Sequence, residues 1–144
     1  MATAPFLELC VSVDRQCDQA SGPRECSGHH FRSYFKDPND PEWKDDAGFR
    51  EFSAFVAKHL PTADRSDTLI VNGYNTAQAL VYVLRQCGDD LTRENVMSVA
   101  TNLKDVELGM LLPGIRLHTS PDDFAPIKEW RLMRFEGSRW RLLS

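Results

Sequence analysis

The sequence predicts an α/β fold in which three helices are followed by C-terminal antiparallel strands. Between Pro41 and Leu103, apolar residues recur at three- and four-residue steps in three separate stretches, which is the period of a helix. Beyond Lys104 the pattern changes to short runs rich in branched and aromatic residues, broken by Pro113-Gly114, Ser120-Pro121 and Glu136-Gly137, as strands are. No strand–helix–strand alternation is present, so this order of elements is the one expected at the end of a larger α/β protein whose parallel strands lie elsewhere.

Each element has its own signals. Asp37 to Pro41 is a turn cluster, and Asp40 before Pro41 has the form of an N-cap followed by a proline in the first helical turn. A first helix is expected over residues 41–60, with Phe49, Phe52, Phe55, Val56 and Leu60 forming one aromatic-rich stripe on a core. Pro61 stops it. A second helix is expected over residues 67–87, carrying Ile70, Tyr74, Ala77, Leu80, Val81 and Leu84, with Gly88 as its left-handed C-terminal cap. The third, over residues 93–103, has Thr92 as N-cap, Glu94 in the positively polarised first turn and Leu91 positioned to pack on Val96. Val96, Met97, Ala100 and Leu103 form its apolar side. Met110 to Leu117, Ile127 to Phe135 and Arg139 to Leu143 are the expected strands, the last two joined by a turn at Glu136 to Ser138. In them Trp130, Leu132, Trp140 and Leu142 alternate with arginines, the pattern of strands with one wet face.

Composition excludes several function classes. At 144 residues, 42% hydrophobic and 26% charged, the chain lies in the single-domain range. A net charge of -4 leaves no basic footprint for nucleic acid. No apolar run is long enough to span a membrane, and the N-terminus lacks the basic segment and uninterrupted apolar stretch of a secretion signal. There is no glycine-rich phosphate loop, metal-spaced His/Glu pair or nucleophile elbow. The adjacent carboxylates Asp45-Asp46, Asp89-Asp90 and Asp122-Asp123 each fall at a turn or helix start, where acids cap and solvate rather than form a catalytic dyad. No catalytic residue, cofactor or metal site is therefore expected, and the chain does not read as an enzyme.

The run from Asp64 through Asn72, Tyr74, Gln78, Arg85, Asp90 and Thr92 to Glu107, continued by Met110 to Leu117, Asp123 to Lys128 and Leu132 to Trp140, resembles one family. It is similar to the C-terminal part of the periplasmic solute-binding proteins of branched-chain amino acid ABC importers. The order and spacing of the whole set carry the likeness, which covers roughly residues 35–144. The resemblance implies a partial lobe of a type I periplasmic-binding-protein fold, since family chains are much longer and close two α/β lobes on a solute without covalent chemistry. It implies a small-molecule solute and an ABC permease as partners of the complete protein, in the periplasm. A chain without an export signal would remain in the cytoplasm. The resemblance points to Val71, Asn72 and Tyr74, at the start of the second helix, as solute-contacting residues. Amino acids, aromatic acids and other organic acids all remain open as the solute, because the groups that grip the carboxylate and amine in relatives lie mainly in the part of the family chain that has no counterpart here. Missing strands are also expected to expose apolar faces of the first two helices.

Residues 1–34 fall outside the likeness and hold three of the four cysteines together with His29 and His30. Cys10, Cys17, Cys26 and His29 carry zinc-ligand chemistry, but without the close cysteine pair that common zinc sites use. Family members usually place Pro-Ala-Gly followed by Glu-Asn-Val-Gln-Gly-Ile-Ile-Ser-Ala-Ala before the Tyr34 region. With synonymous third bases chosen freely, Ala20 to Ser33 can be encoded so that reading one base later yields Pro-Ala-Gly-Pro-Glu-Asn-Val-Gln-Gly-Ile-Ile-Ser-Ala-Ala. The front of the chain is therefore expected to be an out-of-frame, loosely ordered segment, with the frame recovered near Tyr34. The family strand that crosses between lobes is expected to be lost here, because His29, His30 and Arg32 stand where apolar residues would be buried. An independent Cys/His metal-binding or interaction module, and the non-functional product of a frameshifted gene, are the alternatives.

Overall fold

The computed structural model describes residues 30–65, 67–136 and 140–143. Their elements run in the order strand β1 (His30–Ser33), a 3-10 turn (Pro41–Trp43), helices α1 (Ala47–His59), α2 (Thr68–Cys87) and α3 (Arg93–Ala100), then strands β2 (Arg131–Phe135) and β3 (Trp140–Leu142). Three α-helices and a three-stranded sheet of order β1-β2-β3 make the mixed α/β fold that the sequence pattern implies. The chain divides into two compact units. One is Ser33–Arg131; the other is formed by the chain's two ends, of which residues 30–32, 132–136 and 140–143 are described.

Local chemistry sets the helix ends. The Asp40 carboxylate accepts from the Glu42 backbone N–H at 3.0 Å, as a cap should, but it starts only the 3-10 turn. Asp46 then opens α1 by accepting from the Phe49 N–H at 2.9 Å. The single helix expected over residues 41–60 is thus two pieces, because two capping aspartates lie six residues apart and the second captures the orphan amides of the longer helix. Asp67 caps α2 through the Leu69 N–H at 2.9 Å, and Gly88 closes it with φ 61°. Thr92 caps α3 with Glu94 in its first turn, as expected. That helix ends at Ala100 rather than residue 103, where the buried Thr119 hydroxyl donates to the Ala100 carbonyl at 2.8 Å and accepts from the Leu103 N–H at 2.9 Å. Those two bonds satisfy groups that a further helical turn would have used. Met97 and Leu91 are both exposed, so neither supplies the buried contact expected of it.

In the Ser33–Arg131 unit, Phe52, Val56, Val71 and Met110 form the central cluster, with Phe35, Phe49, Ile70 and Tyr74 packed around them. Met110 to Leu117 is not a continuous strand. Its backbone meets residues 34–36 through Lys36 N–H to Met110 O and Leu112 N–H to Tyr34 O, both 2.9 Å. It then turns back at Pro113-Gly114, where Gly114 takes φ 83° and Ile115 N–H reaches Leu112 O at 3.0 Å. A proline that cannot donate followed by a residue at positive φ makes a turn and interrupts a ladder. Leu117 bridges both Val106 and Ile127, so irregular segments tied by single bridges replace the expected strand. Nearly all its apolar side chains are nevertheless buried: Met110, Leu111, Leu112, Ile115 and Leu117.

The sheet corrects two further expectations. A strand does form over His30–Ser33, in the segment where the family's crossing strand was expected to be lost: His30 and Arg32 are exposed, Phe31 is half-buried and Ser33 is buried. Backbone pairing does not require apolar side chains, and here the polar residues stay at the water, so no desolvation penalty arises. In β2 the inward residue is Met133, while Leu132 is exposed. Antiparallel pairing of Met133 with Leu142, Arg134 with Arg141 and Phe135 with Trp140 puts Met133, Phe135, Trp140 and Leu142 on one face. A shift of one residue in the assumed phase moves every side chain to the opposite face. Rings of Phe31 and Phe135 lie 5.6 and 5.2 Å from Trp140 on that inner side. The opposed arginines outside share Glu136, at 2.6 Å from Arg134 and 3.6 Å from Arg141. The turn expected at Glu136 to Ser138 lies largely outside the described residues, as do Cys10, Cys17, Cys26 and His29.

Candidate functional site

Val71, Asn72 and Tyr74 stand in the first two turns of α2, where the helical period sends them to different surroundings. Val71 is fully buried in the central cluster. Asn72 is half-buried, and its Oδ1 accepts from the Tyr34 hydroxyl at 3.3 Å. Tyr34 in turn meets the Trp130 ring edge-on at 5.0 Å and the Phe35 ring at 5.1 Å. Tyr74 packs on Phe52 and Phe55, with ring centroids 5.2 and 5.3 Å away. Burial raises its phenol pKa above the ordinary value, and the charge of Glu51 adds to the effect. Asn72 is therefore the member of the three that joins a polar contact to an aromatic surround, while Val71 and Tyr74 build the core beneath.

Tyr34 was not singled out from sequence, and Trp130 was read only as part of an alternating strand. They come from segments nearly a hundred residues apart, and neither sits in a periodic pattern that would place it beside α2. Asn75 was also missed. It is buried on α2, and among the described residues neither its Oδ1 nor its Nδ2 has a hydrogen-bond partner; the same holds for the Nε1 of buried Trp43. The available signal was an asparagine four residues beyond a core valine, hence on the same helical face.

A chain of polar contacts runs beneath Tyr74. Gln78 Nε2 donates to the Tyr74 hydroxyl at 3.3 Å, and its Oε1 accepts from the Gly109 N–H at 3.1 Å. The Gly109 carbonyl accepts from Lys36 Nζ at 2.8 Å, and the same ammonium donates to Asp46 Oδ1 at 2.7 Å while lying 5.6 Å from the centre of the Trp43 ring. Lys36 is buried, yet two oxygens and a ring face receive its charge. Burial would raise the Asp46 carboxyl pKa, but hydrogen bonds from Lys36 and the Phe49 N–H, with the Lys36 charge, hold it below the usual range. The other paired carboxylates also serve local structure. Asp90 accepts from the Thr92 N–H at 3.1 Å. Asp123 accepts from the Ala125 N–H at 3.1 Å and pairs with Lys128. Among the described residues no group of His, Cys, Asp or Glu is placed to hold a metal ion, and no helix is long and apolar enough to cross a membrane.

No family model matches the chain, and no curated protein matches it. A solved structure does: the crystal structure of a branched chain amino acid ABC transporter from Thermus thermophilus with bound valine is similar at a TM-score of 0.68 and 14% identity. The match covers 99% of this chain and 43% of that one, so the chain spans less than half the length of the structure it resembles. The likeness shows the fold, a mixed α/β arrangement corresponding to a partial lobe of a type I periplasmic-binding-protein fold.

Proposed function

We propose that the chain is part of an ABC-transporter substrate-binding protein that takes up branched-chain amino acids or related small organic acids. The observation that carries this reading is the structural match along nearly the whole chain to a transporter with bound valine. Binding without covalent chemistry fits the paired carboxylates, which are engaged in caps, turns and ion pairs. In this reading Asn72 faces the solute cleft while Val71 and Tyr74 hold its helix in place, and a permease in the membrane receives the solute from the complete protein in the periplasm.

This chain alone is expected to bind no solute tightly. A two-lobe protein gains affinity by satisfying the solute's polar groups from both sides while expelling water, and one partial lobe leaves the solute's charges facing water. Calorimetric titration with valine, leucine and benzoate checks this. A micromolar constant for any of them, about -8 kcal/mol, would mean that the site is complete within these 144 residues. The transport reading itself is tested by sequencing the DNA upstream of the Met1 codon. A first lobe encoded there, in frame or shifted by one base, supports it; DNA encoding no such lobe overturns it.

A further inference from the structure

Asn72 is held in one orientation, and that decides what it can offer a ligand. Its Oδ1 accepts from the Tyr34 hydroxyl at 3.3 Å, while its Nδ2 has no hydrogen-bond partner among the described residues. A side-chain amide carries one acceptor oxygen and two N–H donors. With the oxygen turned to Tyr34, the two donors are what it presents. Asn72, Tyr34 and Trp130 are all half-buried, so each keeps part of its surface accessible. The Trp130 ring stands edge-on to Tyr34 at 5.0 Å and 85°, and Phe35 stands edge-on to the same ring at 5.1 Å and 87°. Perpendicular rings leave a corner in which a flat ring can meet one face and one edge, and edge-to-face contact is an arrangement aromatic rings prefer. Tyr34 is the second residue of the Ser33–Arg131 unit and Trp130 the last but one. The three residues thus sit where the chain enters and leaves the unit, outside its central cluster.

We propose that Asn72, Tyr34 and Trp130 receive the carboxylate and ring of an aromatic carboxylic acid, so that the solute class is benzoate-like acids; this rests on the transport reading. A carboxylate oxygen accepts from the unmet Asn72 donors in a charge-assisted bond, stronger than one between neutral groups. The α-ammonium group of an amino acid is itself a donor, and the same amide N–H groups offer it nothing. A branched aliphatic side chain would fill space in the corner, but only a planar ring matches its perpendicular walls. Aromatic rings can also hold a cation over their faces, which would favour an aromatic amine instead. The direction of the Asn72 donors argues against that, because they would lie against the cation's own protons.

Proton–nitrogen correlation spectra of the full chain decide it, following the Asn72 side-chain amide and the Trp130 indole N–H during titration with benzoate, cyclohexanecarboxylate, benzylamine and valine. Benzoate is expected to shift both signals with a constant of about 1–10 mM, since one lobe supplies only part of a complete site. Cyclohexanecarboxylate, with the same charge but no flat ring, should bind about fivefold more weakly. Benzylamine and valine should leave both signals in place. Asn72→Asp keeps the shape but replaces the donors with a negative charge, and should weaken benzoate by about tenfold or more and admit benzylamine. Tyr34→Phe removes the hydroxyl that orients Asn72 and should weaken benzoate about threefold. The remaining signals report whether each variant is folded. Benzylamine or valine matching benzoate, no shift with any acid, or benzoate binding that neither variant changes would overturn the proposal. If the upstream DNA encodes a first lobe and benzoate still leaves Asn72 unshifted, the solute class fails while the transport reading stands. If no lobe is encoded there, the transport reading fails whatever benzoate does.

Discussion

Asn75 concentrates a cost that a packed helix normally avoids. Its amide is buried on α2 with no partner for either polar atom among the described residues, and burying an unsatisfied amide costs about 1–3 kcal/mol. Asn75→Leu, close in size and without that penalty, should therefore raise stability by about 1 kcal/mol, read as a higher urea midpoint at unchanged slope. A lower midpoint would mean that the amide has a hydrogen-bonded companion. Gly48 represents the opposite limit. A Cβ there would lie 2.2 Å from the Gly109 carbonyl oxygen, a backbone atom that cannot turn aside. Gly48→Ala should cost about 3 kcal/mol as α1 is forced off the 109 segment; a loss below about 0.5 kcal/mol in chemical denaturation would contradict the close approach.

At the scale of elements, helix starts were legible because their cause is local: a carboxylate or hydroxyl reaches an amide two or three residues ahead. Asp67 and Thr92 act as their sequence positions imply, and Gly88 ends α2 at positive φ but with ψ -133° in place of the left-handed helical cap expected. Asp46 was less legible, since Asp40-Pro41 presents the same signal first and nothing nearby says which cap opens the longer helix. The strand region was less legible still. The faces of β2 follow from its pairing with β3, and Met110 to Leu117 is shaped by a turn and by single bridges to distant segments. Gly73 supplies a test of α2 alone. It is helical and uncrowded, so Gly73→Ala should stabilise the helix by about 1 kcal/mol. Thermal melting measures this, and an unchanged or lower midpoint would show that the glycine is needed there.

Across the Ser33–Arg131 unit, the chain from Tyr74 through Gln78, Gly109 and Lys36 to Asp46 ties α2, an irregular loop and α1 together. It makes a prediction about acid. Because the Asp46 carboxyl pKa is lowered in the folded protein, the unfolded chain binds its proton more readily, and stability must fall as pH drops through and below the ordinary carboxylate range. Lys36→Met removes the cation and should cost about 2 kcal/mol at neutral pH. It should also flatten this part of the acid response, because Asp46 loses the partner that holds its proton off. Urea midpoints across pH 3 to 7 for both proteins measure this, and parallel curves would refute the coupling.

The helical periods, the caps and the order of helices before strands could be read from residues alone, since each depends on interactions within about one helical turn. So could the resemblance, which depends on order and spacing. The side of α2 that is buried could not. Val71 and Leu80 are equally apolar and both lie at helical spacing, yet one is enclosed and the other is more than half exposed, because burial depends on which distant segment reaches that side. The same holds for the site. Asn72 could be chosen from a resemblance, but its pairing with Tyr34, and Tyr34 with Trp130, required the chain to fold residues from opposite ends of one unit onto a single helix, and no local rule encodes that meeting.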